Sequence, residues 1–239
     1  RKHPDKFKLE ETSIWSFPDR GSWATHSGKY RGNWSPYVPR NLILRYSKEN
    51  DWILDQFLGS GTTLIEAKLL GRNAIGIDVN PESIKLSNSN LNFFNYLTPK
   101  IFIRQGSARD LSFIKDNSID MICTHPPYAD IIQYSHNIVE DMSLLPYEEF
   151  LFAMKEAASE AYRVLKPKAI CSFMIGDVRK KGYVCPLGMD TMKSFVQAGF
   201  RLKEIIIKEQ HNCRSTQYWQ KKEKSFLLLA HEYIFVLEK

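Results

Sequence analysis

The stretch DWILDQFLGSGTTLIEAKLLGRNAIGIDVNP, residues 51–81, changes hydrophobic period twice. Residues 51–57 and 73–79 are short, β-branched, nearly continuous apolar runs, the pattern of strands buried on both faces. Between them, residues 62–71 have helical spacing and stop on Gly71, a C-terminal cap. A strand, a helix and a second strand in this order predict a parallel pair joined by a helical crossover.

The same alternation continues outward. Residues 100–106, 119–125 and 169–175 read as further buried strands. Residues 81–94 start a helix on Pro81 at a first-turn position. Residues 147–167 form the longest helical pattern, with Phe150, Leu151, Met154, Ala157, Ala158, Ala161 and Leu165 on one stripe and Pro167 closing it. The last two apolar runs, 200–210 and 225–239, are separated by a polar and aromatic segment with no room for a crossover helix, so they are expected to pair antiparallel. The predicted architecture is α/β: a doubly wound, mostly parallel seven-stranded sheet ending in an antiparallel hairpin. Residues 1–40, with Trp15, Trp23, Tyr30, Trp34 and Tyr37 among Ser, Gly, Pro, Arg and Lys, read as an aromatic and basic leader packing on or near the active site of a domain spanning 41–239.

Composition narrows the function classes. The 239 residues are 43% hydrophobic, enough for one large domain. No apolar run approaches the roughly 20 residues of a membrane span, and nothing at the start resembles a signal peptide. Four scattered cysteines without a CxxC pair fit reduced thiols and a cytoplasmic location, and no metal is expected. The net charge of +6 is compatible with a polyanionic partner.

The chemistry concentrates at two strand ends. After the first strand, Gly59 and Gly61 let the backbone turn tightly toward a ligand that the amides of the next helix also face. No Lys follows the second glycine, so this is not a phosphate loop, and Leu64 occupies the third position of a dinucleotide fingerprint. An ordinary tight turn remains an alternative. Asp78, at the end of the next strand, sits where a carboxylate accepts both hydroxyls of a ribose. It could instead cap the following helix, although Asn80 before Pro81 is placed for that task. Together the glycines and Asp78 point to a nucleoside-containing ligand without a pyrophosphate, with Ser107 and Ala108 against its base. The strand at 119–125 ends in His125-Pro126-Pro127-Tyr128, which is either a stiff strand terminator or a rigid site carrying an imidazole and an aromatic ring.

Asp55-Gln56-Phe57-Leu58-Gly59-Ser60-Gly61-Thr62-Thr63, then Gly76-Ile77-Asp78-Val79-Asn80, then His125-Pro126-Pro127-Tyr128 resemble three motifs of one family in fixed order. The family is the S-adenosylmethionine-dependent amino-methyltransferases that modify DNA at N4 of cytosine or N6 of adenine. The resemblance spans roughly residues 30–239 and implies a Rossmann-like class I methyltransferase fold. It implies S-adenosylmethionine as cofactor, with Asp55, Phe57, Gly59, Ser60, Gly61, Thr62 and Ser107 around it and Asp78 on the ribose. Residues 34–43, including Pro36 and Tyr37, are similar to the family's segment that closes over the methionine end. Gln56 stands where the family has Pro, and His125 where it has Asp, Asn or Ser.

A base amine is a poor nucleophile because its lone pair is delocalised into the ring. Acceptors that hold its N–H groups draw the nitrogen toward a tetrahedral shape. By the resemblance, neutral His125 and a carbonyl of Pro126-Pro127 are those acceptors, and Tyr128 is the face on which a flipped base stacks. Thr124 before His125 brings the motif closer to the cytosine-N4 form than to the adenine-N6 form. With an unperturbed imidazole, methyl transfer is expected to fall as pH drops through about 6.5.

The expected partner is duplex DNA, leaving room for a homodimer or a specificity partner. Residues 211–224 mix Arg214, Lys221, Lys222 and Lys224 with Tyr218 and Trp219, the composition of a loop that contacts phosphates and bases. The leader is a second candidate, and residues 177–188 read as a solvated loop. Two alternatives remain: an RNA base-amine methyltransferase, and a non-catalytic subunit that binds the cofactor or nucleic acid.

Overall fold

The computed structural model describes residues 2–129, 135, 137–211 and 225–239. Ten strands and five α-helices follow in chain order: β1 (Ile14–Trp15), α1 (Tyr37–Tyr46), β2 (Trp52–Asp55), α2 (Thr62–Leu69), β3 (Asn73–Asp78), α3 (Pro81–Leu91), β4 (Ile101–Gln105), β5 (Ile119–Thr124), α4 (Tyr147–Val164), β6 (Leu165–Ile175), β7 (Val178–Lys180), β8 (Tyr183–Cys185), α5 (Leu187–Gln197), β9 (Arg201–Glu209) and β10 (His231–Glu238). The main sheet has the order β1-β9-β10-β6-β5-β2-β3-β4. All its neighbours are parallel except β10, which runs antiparallel to β6 on one side and to β9 on the other. The seven expected strands are therefore present with the expected terminal hairpin. An eighth, two-residue strand from the leader pairs with the edge of β9.

Period-2 alternation divides the strand residues between two cores. Leu54, Ile122, Phe173 and Phe235 face α4 and α5 on one side. Ile53, Met121, Met174 and Ile234 face α1, α2 and the leader tryptophans Trp15, Trp23 and Trp34 on the other. The boundary expected at residue 40 falls inside α1, and the leader shares the second core. It is a layer of the domain rather than an appendage.

Two local expectations are corrected, and the pattern did not announce helix α1. The helix expected over 147–167 ends at Val164, and Leu165 is already extended. Pro167 lies in an irregular part of β6, where the register against β5 shifts and Lys168 has φ 64°. A proline that donates no ladder bond is tolerated at such a place. Helix α1 was not legible because buried Arg40 and Asn41 interrupt its apolar face; Pro39 lies in the first turn, where no helical N–H is lost. Residues 178–185 are no loose loop but the two strands of a separate antiparallel ribbon.

The leader is held by a buried carboxylate. Glu66 on α2 is fully buried and accepts from Trp23 Nε1 at 2.6 Å and from Arg40 at 2.8 Å, while His26 Nε2 lies at 2.7 Å. Removing one partner of a buried ion pair leaves an uncompensated charge. Glu66→Ala is expected to destabilise the protein by roughly 3–5 kcal/mol and to expose the leader to protease. Equilibrium denaturation and limited proteolysis check this; a loss below about 1 kcal/mol would mean the cluster behaves like an exposed pair.

Candidate functional site

Because β2, β3, β4 and β5 are parallel neighbours, their carboxyl ends open on one edge of the sheet, where open α/β sheets bind ligands. A cleft lined by Asp55, Gly59, Asp78 and His125 lies there, and small molecules bind in such concave sites.

Its floor is the loop after β2. Gly59 has φ 49° and Gly61 φ 85°, left-handed conformations that a side chain would strain. Gly59 N donates to Asp78 Oδ2 at 2.8 Å, and Asn80 N donates to Asp78 Oδ1 at 2.9 Å. Burial raises the Asp78 pKa from its ordinary value, and these two amide bonds oppose that shift. Asn80 caps α3, its side chain accepting from Glu82 N. Asp78 is therefore not the helix cap, and its carboxylate edge lines the cleft. Gln56, in the position where the resembled motif has Pro, is buried and donates to the carbonyls of Ala108 at 3.1 Å and Ala157 at 3.3 Å. It ties the loop to α4 and to the turn after β4.

Asp55 links this floor to the opposite wall. Its Oδ1 accepts from the Thr124 hydroxyl at 2.6 Å and from Phe57 N at 3.1 Å. Burial pushes its pKa up to about 6, against those hydrogen bonds.

His125 follows Thr124 and is locked on two sides. The Trp34 ring stacks on it with centroids 5.2 Å apart and planes 16° apart, and Tyr128 meets it edge-on at 5.7 Å. Behind it runs a chain of polar groups. Lys208 Nζ donates to Glu232 Oε2 at 3.0 Å, the Tyr128 hydroxyl donates to Glu232 Oε1 at 2.6 Å, and His125 Nε2 lies 3.3 Å from the Tyr128 oxygen. Burial alone would raise the Glu232 pKa, and Lys208, 3.0 Å away, is the largest influence that lowers it. Glu232 accepts the hydrogen bond of the Tyr128 hydroxyl, which leaves the phenol oxygen a lone pair to accept from Nε2. Burial, reinforced by the charge of Lys208, lowers the His125 pKa to about 4 despite Glu232. A neutral imidazole that donates from Nε2 carries its lone pair on Nδ1.

Among the residues singled out in the sequence, Asp55, Phe57, Gly59, Ser60, Thr62, Asp78, Ser107, His125 and Pro127 line the cleft. Gly61, Pro126 and Tyr128 adjoin it without lining it. Pro36 and Tyr37 do not reach it: Pro36 precedes α1, and Tyr37 packs against Phe17 and Trp23. The leader wall is instead Tyr30, Gly32, Asn33 and Trp34, with the Thr62 hydroxyl donating to Asn33 Oδ1 at 2.6 Å. Arg214, Tyr218, Trp219, Lys221, Lys222 and Lys224 lie outside the described residues. Sequence reasoning missed Trp34 as a ring on His125, and Lys208 and Glu232 altogether. The one available signal was a carboxylate at the start of the apolar run 231–238.

The Asp55 shift has a sign that can be measured. A folded pKa raised above the unfolded value means that the neutral form is favoured in the fold. That stabilisation is complete below about pH 4 and is lost as pH rises through about 6. The stability of Asp55→Asn relative to wild type is therefore expected to improve by roughly 3 kcal/mol between pH 4 and 7.5. Denaturant titrations across that range test it, and parallel curves for the two proteins would refute the shift.

Comparison with known proteins gives a consistent picture. A family model described as DNA methylase matches residues 1–89 and 119–239, and one described as RNA cap guanine-N2 methyltransferase matches residues 50–172. The type II methyltransferase M2.LlaDCHI of Lactococcus lactis is 47% identical over 70 residues, 29% of this chain and 25% of the relative. A tRNA (guanine(10)-N2)-dimethyltransferase of Methanothermobacter thermautotrophicus is 33% identical over 123 residues, 51% of this chain and 34% of the relative. These matches span only a quarter to a third of the curated relatives. An S-adenosylmethionine-dependent methyltransferase from Methanosarcina mazei superposes with a TM-score of 0.58 at 17% identity, over 83% of this chain and 96% of that one. TrmN from Thermus thermophilus gives 0.58 at 19% identity, over 87% and 50%. S-adenosylmethionine is the cofactor that this fold and family indicate. The cleft fits it, with a glycine-lined floor, an acid at the end of β3 and Phe57 and Ala108 as apolar lining. With the family's model matched over residues 1–89 and 119–239, the chain belongs to the DNA methylase family of N6- and N4-amino-methyltransferases.

Proposed function

We propose that this protein methylates an exocyclic base amine in DNA, with His125 as the acceptor that holds the amine. The observation that carries this reading is the position of the His125 imidazole at the cleft edge, stacked on Trp34 and backed by the chain from Lys208 through Glu232 and Tyr128. S-adenosylmethionine supplies an electrophilic methyl carbon on a sulfonium. The Gly59–Gly61 floor and Asp78 would hold its nucleoside, with Asp78 accepting from the ribose hydroxyls. His125 Nδ1 accepts one N–H of the target amine, and a carbonyl of the Pro126-Pro127 turn accepts the other. The prolines and the Trp34 stack keep those acceptors from moving. Tyr128, its hydroxyl bound to Glu232, offers its ring to the flipped base, a stacking contact worth about 1–3 kcal/mol. N4 of cytosine remains the preferred atom over N6 of adenine, on the form of the motif around His125.

The relatives named as type II methyltransferases favour DNA. A second reading, an RNA base amine, draws support from the tRNA dimethyltransferase similarity. Methyl transfer from labelled cofactor to duplex DNA, single-stranded DNA and tRNA separates the two.

Asp78→Ala is expected to weaken S-adenosylmethionine binding about tenfold or more, since hydrogen bonds to a charged acceptor contribute roughly 1.5–3 kcal/mol. Calorimetry with equal affinities for wild type and variant would remove Asp78 from the ribose.

The His125 shift changes the expected pH profile. A pKa lowered from 6.5 to about 4 keeps the imidazole a neutral acceptor from pH 8 down to pH 5. Single-turnover methylation is therefore expected to be flat across that window, whereas an unperturbed histidine would lose rate below about 6.5. His125→Ala is expected to slow the step about 10²-fold without changing cofactor affinity. Glu232→Gln, which no longer compels Tyr128 to donate away from the imidazole, should slow it less and move the histidine tautomer seen by nitrogen NMR. A wild-type rate in His125→Ala would rule the imidazole out as acceptor.

A further inference from the structure

The β7–β8 ribbon grows directly from the site. Gly176, between β6 and the ribbon, lies against the HPPY turn: a Cβ built there would stand 3.4 Å from Tyr128 Cε2 and 3.4 Å from Glu232 Cγ. From this root the chain runs out through Val178–Lys180, turns at Lys181-Gly182, and returns through Tyr183–Cys185. Lys180 pairs with Tyr183, so the loop has two residues, and both have positive φ, 50° and 86°. That is the type I′ turn whose twist matches a two-stranded ribbon. Three residues on each side carry the tip roughly 10 Å beyond the root.

The ribbon is anchored at its base and open at its tip. Val178 is buried. Arg179 donates to the carbonyls of Gly182 at 2.6 Å and Leu227 at 2.8 Å and lies over the Phe226 ring at 4.4 Å. At the other end, a Cβ on Gly182 would meet nothing within 4 Å, and Tyr183 is 80% exposed. Arg179, Lys180 and Lys181 are consecutive, and no acidic residue occurs between Asp177 and Asp190.

We propose that this ribbon is the duplex-contacting arm of the enzyme, entering the major groove of B-form DNA beside the extruded base. The proposal rests on the DNA reading given above and adds a contact surface to it. A major groove about 12 Å wide admits a two-stranded ribbon, whereas the deep, narrow major groove of A-form RNA does not. A base held at His125 leaves its flanking phosphates near the root of the ribbon, where a cationic tip has charge complementarity. Tyr183 supplies an exposed amphipathic ring beside Lys181. Arg179, bound to Gly182 and Leu227, keeps the arm rigid, so little order remains to be imposed on binding.

The test uses the intact chain with two probes, a random-sequence DNA duplex and an RNA duplex of the same sequence and length, titrated by fluorescence anisotropy at several salt concentrations. Lys181→Ala is expected to weaken DNA binding several-fold and to lower the magnitude of the salt slope by about 0.9, one phosphate contact. Lys181→Ala with Tyr183→Ala should weaken it at least tenfold, and RNA binding should stay unchanged. Both positions are exposed, and unaltered calorimetric binding of S-adenosylmethionine confirms that the fold and the cleft are intact. Wild-type binding to DNA with equal affinity and slope in the variants would overturn the ribbon and leave the DNA reading standing. Preferential wild-type binding to RNA, lost equally in the variants, would overturn both.

Discussion

The hydrogen bond from the Thr124 hydroxyl to the Asp55 carboxylate, 2.6 Å across the ends of β2 and β5, is the constraint on which the site depends. Asp55 is the last residue before the glycine loop, and Thr124 is the last before His125. Both loops are irregular backbone that no ladder holds. One carboxylate oxygen serves both, since it also accepts from Phe57 N, and that amide lies 3.2 Å from Thr124 Oγ1 as well. The glycine loop and His125 therefore share one anchor. The anchor is strained in the electrostatic sense: the raised Asp55 pKa shows that desolvation exceeds the bonds it receives. Strain kept at a functional site is tolerated where surrounding packing over-determines the geometry, and Asp55 lies between two apolar cores that do so.

Topology explains how a glutamate near the end of the chain comes to stand behind a histidine in its middle. In a wholly parallel sheet, strand starts lie at the edge opposite the ligand site. β10 is antiparallel to both neighbours, so its first residues, Glu232 among them, lie at the carboxyl edge of β5 and β6. β9 runs with the parallel strands, which places Lys208 at the same edge and directly opposite Glu232. The terminal hairpin thus delivers an ion pair to the one place where it can fix the Tyr128 proton. A buried ion pair is weak evidence for stability but a good device for specifying orientation. Here what it orients is an imidazole.

The parts legible in the sequence were those set by local pattern. Period-2 and period-3.6 segments placed seven strands and the helices α2, α3 and α4, but not α1 or α5, and the glycine loop, Asp78 and His125 were singled out because each lies at a strand end. Contacts set by register were not legible. Lys208 and Glu232 are 24 residues apart along the chain, and only the β9–β10 alignment makes them partners. The type I′ turn at Lys181-Gly182 was hidden because a lysine holds a positive φ that Asn or Asp usually signals. Within the leader, the segment 34–43 meets the cleft only through Trp34. Pro36 and Tyr37 begin a helix that turns away, while Trp34, two residues earlier, reaches His125.

That displacement shows why the leader belongs to the chemistry. Glu66 lies on the helix opened by the glycine loop, and it holds Trp23, His26 and Arg40. Arg20, from the same segment, donates to the Trp34 carbonyl at 2.8 Å, and Asn33 accepts from Thr62 at the first turn of α2. One helix therefore carries the cofactor floor at its start and the anchor of the aromatic wall one turn later. The segment anchored at Glu66 thus also carries Trp34, the ring that stacks on His125. The buried charge cluster and the placement of the His125 ring are in this way one structural problem, solved by packing an aromatic segment across α2.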